Sequence, residues 1–391
     1  MDNMKYRTVG ILSVGHMVTD INQGALPAML PFFIAAYDLS YAAAAGIVFA
    51  ANMTSSIVQP LFGYAADRFS KPWLLSIGLI LAGLGLALTG IFQDYRWIMI
   101  LAVVSGIGIA AYHPEAARLV NFAAGGKKGS AMSLFGVGGT IGFAIGPLFI
   151  TTALLQWGLK GTLLLIVPVT TMALIMTSQF STFKSLEAYN NRKQEISGSE
   201  NTEEKWGAFA RLTITIIGRS ILFYSLNTFI PIYWIRVLNQ SKTTGAMALT
   251  VFAGAGIIGN LVGGRLADRM GQKKVMLLGF SGLTLLLPLL ILVKNVQTAT
   301  LLLVPIGFVL YGTYSPSIVL GQNYLPNRVG LSSGVTLGLA VAVGGGAAPI
   351  IGRIADLYGI WYSLASIACL PVFITAIALS LPSCQGKIVK I

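Results

Sequence analysis

The length of the apolar runs constrains this chain more than any other feature. Between short polar breaks they extend for about 20–28 residues, too long for core strands and long enough to cross a bilayer as helices. Twelve can be marked: Thr8–Ala36, Tyr41–Ala66, Pro72–Phe92, Trp97–Phe122, Gly129–Leu155, Gly161–Phe180, Ala208–Ile235, Thr243–Ala267, Lys273–Val293, Thr298–Asn323, Gly330–Ala355 and Ile360–Leu381. Composition agrees. Of 391 residues 55% are hydrophobic and 10% charged, with a mean hydropathy of +0.77, outside the range of soluble domains. The expected fold is an all-α polytopic membrane protein with the lipid bilayer as its solvent. The first run holds Asp20 and has no cleavage site, so it reads as a retained span rather than a signal peptide.

The net charge of +13 does not point to nucleic acid, because the basic residues occupy turns between spans rather than one patch. With the N-terminus placed inside, the cytoplasmic face collects Lys5, Arg7, Arg68, Lys71, Lys127, Lys128, Lys184, Arg192, Lys193, Lys205, Arg265, Arg269, Lys273, Lys274, Arg328, Lys387 and Lys390. The outer face receives Arg96, Lys160, Arg236, Lys242, Lys294 and Arg353. This positive-inside asymmetry implies that both termini are cytoplasmic and that the protein is a multi-pass component of a plasma or bacterial inner membrane. Neither a disulfide framework nor a metal cluster follows from the two cysteines, Cys369 and Cys384. No cofactor is expected, and the simplest assembly is a monomer.

The longest polar stretch, FKSLEAYNNRKQEISGSENTEEK, divides the spans six and six, with room for a short surface helix. The chain thus reads as an N-terminal half over residues 1–182, a cytoplasmic linker over 183–207 and a C-terminal half over 208–391. Across the linker the sequence repeats. Gly63-Tyr-Ala-Ala-Asp67-Arg68 answers Gly264-Arg-Leu-Ala-Asp268-Arg269, Tyr112-His-Pro114 answers Tyr314-Ser-Pro316, and Gly146-Pro147 answers Ala348-Pro349. Each pair is separated by about 200 residues, and unrelated apolar helices would rarely hold that register. Two pseudo-symmetric six-helix halves related by an axis along the membrane normal resemble the major facilitator fold, whose site lies between the halves.

Ionisable residues within the spans are the candidates for function, since a charge at membrane depth costs at least about 2.5–3.5 kcal/mol on insertion scales. His16 and Asp20 are four apart on one helix face, and Glu115 and Arg118 three apart on another. His16 and His113 lie at about the same depth, about 12–13 Å into their spans. In this fold spans 1, 4, 7 and 10 line the cavity, so the two pairs are expected to meet there with Arg219 and Tyr224. Pro114 and Pro316 are matched helix breaks of the kind that mark transporter sites. Asp20 and Glu115, with His16 and His113 beside them, are candidate proton carriers. Arg219 and Arg118, with Tyr112, Tyr224, Asn227, Tyr311 and Tyr314, are candidates for binding a small-molecule substrate. Arg219 has no acidic residue nearby in sequence, which suggests an anionic cargo.

Two further motifs concern conformation. Gly63, Asp67 and Arg68 recur as Gly264, Asp268 and Arg269; the glycine permits close helix approach, and the aspartate can receive a helix N-terminus or an arginine as a latch. This resembles the superfamily's loop signature. Gly138, Gly142, Gly146 and Pro147 in the fifth span resemble the signature of its drug–proton antiporter branch, and their spacing of four would let helices 2 and 8 pack tightly.

The stretches GHMVTDINQG, QPLFGY and above all YHPEAARLVNFAAGGKKGSAMSLFGVGG resemble the fosmidomycin resistance branch of the superfamily. The likeness covers most of the first half and is specific from Tyr112 to Pro147; the second half matches at the superfamily level. It implies a proton-driven exporter of small, often anionic compounds, including the phosphonate antibiotic of the name. An importer or facilitator of organic anions is the nearest alternative. An intramembrane enzyme fits less well: His16 and Asp20 stand one residue closer than in the usual acyltransferase pair, with no nucleophile beside them. No GxxxxGK[ST] loop occurs to support direct ATP drive.

Overall fold

The computed structural model describes residues 3–69, 71–196 and 203–383. Cys384, Lys387 and Lys390 lie outside these. The described residues form α1 Tyr6–Tyr37, α2 Tyr41–Phe69, α3 Trp73–Leu88, α4 Tyr95–Ala123, α5 Lys128–Trp157, a 3-10 segment Gly158–Leu165, α6 Ile166–Ser178, α7 Phe180–Ile196, α8 Trp206–Arg236, α9 Lys242–Met270, α10 Gln272–Leu292, α11 Val296–Gly312 and α12 Tyr314–Tyr324. The chain continues through α13 Val329–Gly334, a π-helical turn Val335–Leu339, α14 Ala340–Gly345, α15 Ala348–Tyr358, α16 Ile360–Ala368 and α17 Leu370–Leu379. Eight helical runs among the described residues are long and apolar enough to cross a membrane. One of them, Lys128–Ser178, holds both the fifth and sixth expected spans, while the third, α3, has only 16 residues. The eleventh expected span is interrupted by the π-helical turn. The tenth is divided at Thr313, three residues ahead of the second Pro of the repeat, Pro316.

Two compact units emerge. The first comprises Met1–Gly126, Leu134–Glu203 and Pro326–Leu339; the second comprises Lys127–Ser133, Glu204–Leu325 and Ala340–Ile391. In the first unit α4 is buried on every face from Gly108 to Asn121, packed among α1, α2, α3, α7 and α13. Small residues make this possible: a Cβ on Gly106 would overlap the Ala51 carbonyl of α2, and Ser105 Oγ donates to Ala82 O of α3 at 2.7 Å. The second unit repeats the first contact. There Gly307 of α11 faces the Phe252 carbonyl of α9 in the same way, again about 200 residues further along. The residues expected to form a surface segment in the linker do include a helix, α7. It is not wholly solvated, because Phe183, Leu186 and Glu187 are buried.

The glycine ladder of α5 is a packing surface, but its neighbour is α1 rather than helices 2 and 8. A Cβ on Gly138, Gly142 or Gly146 would strike the carbonyls of Ser13, Met17 and Ile21, so two rows of period four lie backbone to backbone. Helix 8, α9, lies against the start of α5, where a Cβ on Gly264 would overlap the Gly129 carbonyl.

Candidate functional site

In the first unit, α1 and α4 bring His16, Asp20 and His113 together. His113 Nε2 lies 3.1 Å from Asp20 Oδ1, and His16 Nε2 lies 3.3 Å from Asp20 Oδ2. The other ring nitrogens face main-chain carbonyls: His16 Nδ1 is 2.8 Å from Phe135 O and His113 Nδ1 is 2.9 Å from Ile109 O. A carbonyl only accepts, so each Nδ1 must carry hydrogen; each Nε2 then either carries a second hydrogen and donates to the carboxylate as an imidazolium or, in a neutral ring, turns its lone pair toward it. With both rings neutral, three acceptors converge. The His16 ring is fixed by stacking on Phe135, with centroids 4.1 Å apart, and Gly139 leaves the room it needs.

Glu115 and Arg118 do not join this cluster; among the described residues no hydrogen bond or ion pair links the two groups. His113 and Glu115 are two residues apart, about 200° around the helix, and so face opposite sides of α4. Arg118 instead makes a bidentate pair with Glu115, Nε to Oε2 at 2.9 Å and Nη2 to Oε1 at 3.0 Å, and also bonds Glu187 of α7. Glu187 sits in the polar stretch read as a linker, where nothing in its neighbours signals burial. Tyr112 is also not at an open site. It is fully buried, and its hydroxyl donates to Leu12 O at 2.8 Å in the α1–α4 contact.

The second unit holds a different arrangement at the equivalent helices. Arg219 of α8 is 4% exposed and forms no ion pair among the described residues. Its Nε donates to Thr313 Oγ1 at 3.1 Å and to Leu310 O at 3.3 Å, at the break between α11 and α12. The guanidinium lies 4.9 Å from the centroid of the Tyr314 ring and 5.9 Å from that of Phe223. Tyr311 packs edge-on against Phe223 and Phe252 and hydrogen-bonds Asn227, while Tyr224 packs edge-on against Phe223. The expected Arg219, Tyr224, Asn227, Tyr311 and Tyr314 thus form one aromatic-walled neighbourhood; Phe223 and Thr313 complete it and were not legible.

The repeated aspartates both receive helix N-termini, the first of the two partners foreseen for them. Asp67 accepts from Gly330 N at 2.7 Å and Leu331 N at 2.8 Å, at the start of α13. Asp268 accepts from Gly129 N at 2.6 Å, Ser130 N at 2.8 Å and Ser130 Oγ at 2.6 Å, at the start of α5. Gly63 and Gly264 allow these approaches, since a side chain at either would overlap the Gly330 or Gly129 carbonyl. Arg68 stacks on Tyr64 at 4.6 Å. Arg269 has no bond to these carboxylates among the described residues.

A duplicated set of bilayer-length helices, with ionisable groups buried at the equivalent helix pair of each copy, α1 with α4 and α8 with α11, is the construction of a membrane transporter. The chain belongs to the Major Facilitator Superfamily, whose family model matches residues 12–336. It is 29% identical over 354 residues to the fosmidomycin resistance protein of Escherichia coli K12, covering 89% of this chain and 86% of that one. It is 30% identical over 396 residues to the uncharacterized MFS-type transporter YfnC of Bacillus subtilis 168, covering 97% and 94%. Among solved structures it superposes on a double Trp mutant of XylE with a TM-score of 0.76 at 13% identity, covering 99% of this chain and 98% of that one. The human organic anion transporter MFSD10 gives a TM-score of 0.72 at 13% identity, covering 95% and 99%. At such identities these structures attest the fold. The protein is a multi-pass membrane transporter and not an enzyme.

Proposed function

We propose that this transporter is a proton-coupled antiporter that exports a small organic anion, phosphonates being the first class to test. The observation that carries the reading is Arg219, a buried guanidinium held by neutral oxygens and aromatic faces with no carboxylate among the described residues to balance it. An uncompensated buried charge is costly, and an anionic cargo would supply the missing partner through charge-assisted hydrogen bonds. The coupling protons are assigned to Asp20 with His16 and His113, where converging acceptors can take up to two protons. Glu115, fixed by Arg118, is the weaker candidate. Asp67 and Asp268 act as latches that favour one conformation, and protons and cargo bias the same equilibrium by binding its states unequally. The working unit is a monomer in the bacterial inner membrane, with both termini in the cytoplasm. Residues 1–182 and 208–391 are its halves and 183–207 the linker between them.

The test is flux in proteoliposomes loaded with fosmidomycin, with and without an inwardly directed proton gradient. Gradient-stimulated loss of fosmidomycin is expected, and Arg219→Lys should weaken its binding at least about 10-fold while retaining charge, because an ammonium cannot reproduce the planar fork. Wild-type affinity in that variant would make Arg219 structural. A screen that includes sugars and cationic drugs tests the cargo class independently, and uptake rather than release would reverse the direction.

A further inference from the structure

The chain contains two histidines, and α1 and α4 bring both onto one carboxylate. We propose that His16 Nε2, His113 Nε2 and the Asp20 carboxylate form a binding site for a divalent first-row transition metal ion of the Zn2+ type, which competes there with protons. The proposal concerns the cluster assigned above to proton coupling, but it rests on geometry alone.

Two imidazoles and a carboxylate are the donor set that open, three-ligand zinc sites use. Their spacing suits it. With bonds of about 2.0–2.2 Å, neighbouring donors on a tetrahedron stand about 3.3–3.6 Å apart. His16 Nε2 lies 3.3 Å from Asp20 Oδ2 and His113 Nε2 3.1 Å from Asp20 Oδ1, and one donor atom from each of the three residues lies within 4.8 Å of the others, close enough to converge on one ion. The spacing of His16 and Asp20, four apart on α1, is the one helical metal motifs use to put two ligands on one face.

The surroundings match what metal-bound histidines require. Each Nδ1 is committed to a main-chain carbonyl, which sets the tautomer that leaves Nε2 as the ligand. The His16 ring is held by Phe135, and Gly139 backs the cluster with no side chain of its own. Asp20 retains 13% side-chain exposure against 5% and 9% for the two histidines, so access and a fourth ligand, water or an anion oxygen, come from its side. Sequence alone implies no metal, because the third donor lies 93 residues beyond Asp20. Metal uptake would use the lone pairs that protons use and release any protons bound there.

The experiment uses full-length protein free of affinity-tag histidines, stripped with a chelator and kept in detergent. Zn2+ is titrated against a chromophoric chelator, and Co2+ is followed by its visible absorption. One equivalent of Zn2+ is expected to bind, weakening by about 10-fold or more in each of His16→Gln, Asp20→Asn and His113→Gln. Asp94→Asn, at an exposed helix cap, should bind as the wild type does. The Co2+ complex of the wild type should show the intense band of tetrahedral coordination, a readout that needs no variant to fold. No saturable Zn2+ binding, a weak octahedral Co2+ spectrum, or undiminished affinity in the three variants would each overturn the proposal. No gradient or cargo enters the measurement. Proton-driven export by a protein that binds no Zn2+ would sink this inference alone, and Zn2+ binding without proton-driven export would sink only the earlier one.

Discussion

Asp67→Asn isolates the latch, because it removes charge and one acceptor while keeping size. In the structure both carboxylate oxygens are used, accepting from Gly330 N and Leu331 N at 2.7 Å and 2.8 Å. The asparagine keeps one acceptor and turns an NH2 group toward the other amide. One charge-assisted bond is lost, about 1.5–3 kcal/mol, together with about 0.3–1 kcal/mol of favourable interaction with the helix N-terminus. The capped conformation should therefore weaken by about 2–4 kcal/mol relative to the uncapped one, a shift of about 30- to 700-fold in their ratio. Asp67 lies on neither candidate site, so the prediction is a large fall in transport rate with a much smaller change in cargo affinity. Equilibrium binding of fosmidomycin and flux should be measured on one preparation, with accessibility of a cysteine placed at Leu331 reporting the cap. An equal fall in binding and transport, or unchanged accessibility at Leu331, would refute the latch.

Asp20→Asn should abolish gradient-driven movement yet leave exchange at equal pH intact, whereas a variant that still concentrates cargo as wild type does would move the proton elsewhere. Glu115→Gln should act on stability, because breaking a buried ion pair costs about 3–5 kcal/mol and Glu187 offsets only part of it; an unchanged thermal midpoint in detergent would contradict the paired geometry. Gly139→Ala places a Cβ 2.5 Å from His16 Cε1 and 2.7 Å from Asp20 Oδ2, so it should impair proton coupling without removing any titratable group, and wild-type pH dependence would argue against it. Cysteines placed at Lys127 and Lys193 should react with impermeant reagents only from the cytoplasmic side; labelling of Lys193→Cys in intact cells would overturn the orientation.

The architecture was legible because apolar length and the repeat register are properties of the chain itself. The sites were legible only in pieces. His16 with Asp20, and Glu115 with Arg118, follow from helical spacing, but that His113 rather than Glu115 completes the first pair depends on how α4 is rotated against α1. Burial of Glu187 could not be read from a polar stretch, since its partner Arg118 lies 69 residues away and the buried apolar residues near it, Phe183 and Leu186, are sparse. The α5 glycines announced a close approach, but a stripe of small residues carries no address for its partner. The helix start that Asp67 caps was among the foreseen alternatives, because a carboxylate after a span has few partners other than an arginine or a helix start.

Those carboxylates also bear on how the gene arose. Asp67 belongs to the first copy of the repeat and caps residues 330 and 331 of the second, while Asp268 of the second caps residues 129 and 130 of the first. Both exchanges obey the same offset of about 200 residues. Had the ancestor been a single six-helix polypeptide, each copy would have lacked a cap that a second copy could donate reciprocally, which is the relation across a twofold homodimer. Fusion would then have made permanent an exchange that already existed. The modern chain inherits a consequence: a fragment ending in the linker leaves Asp67 without its amides and the start of α5 without its carboxylate, so the two fragments should each require co-expression with the other to accumulate in the membrane.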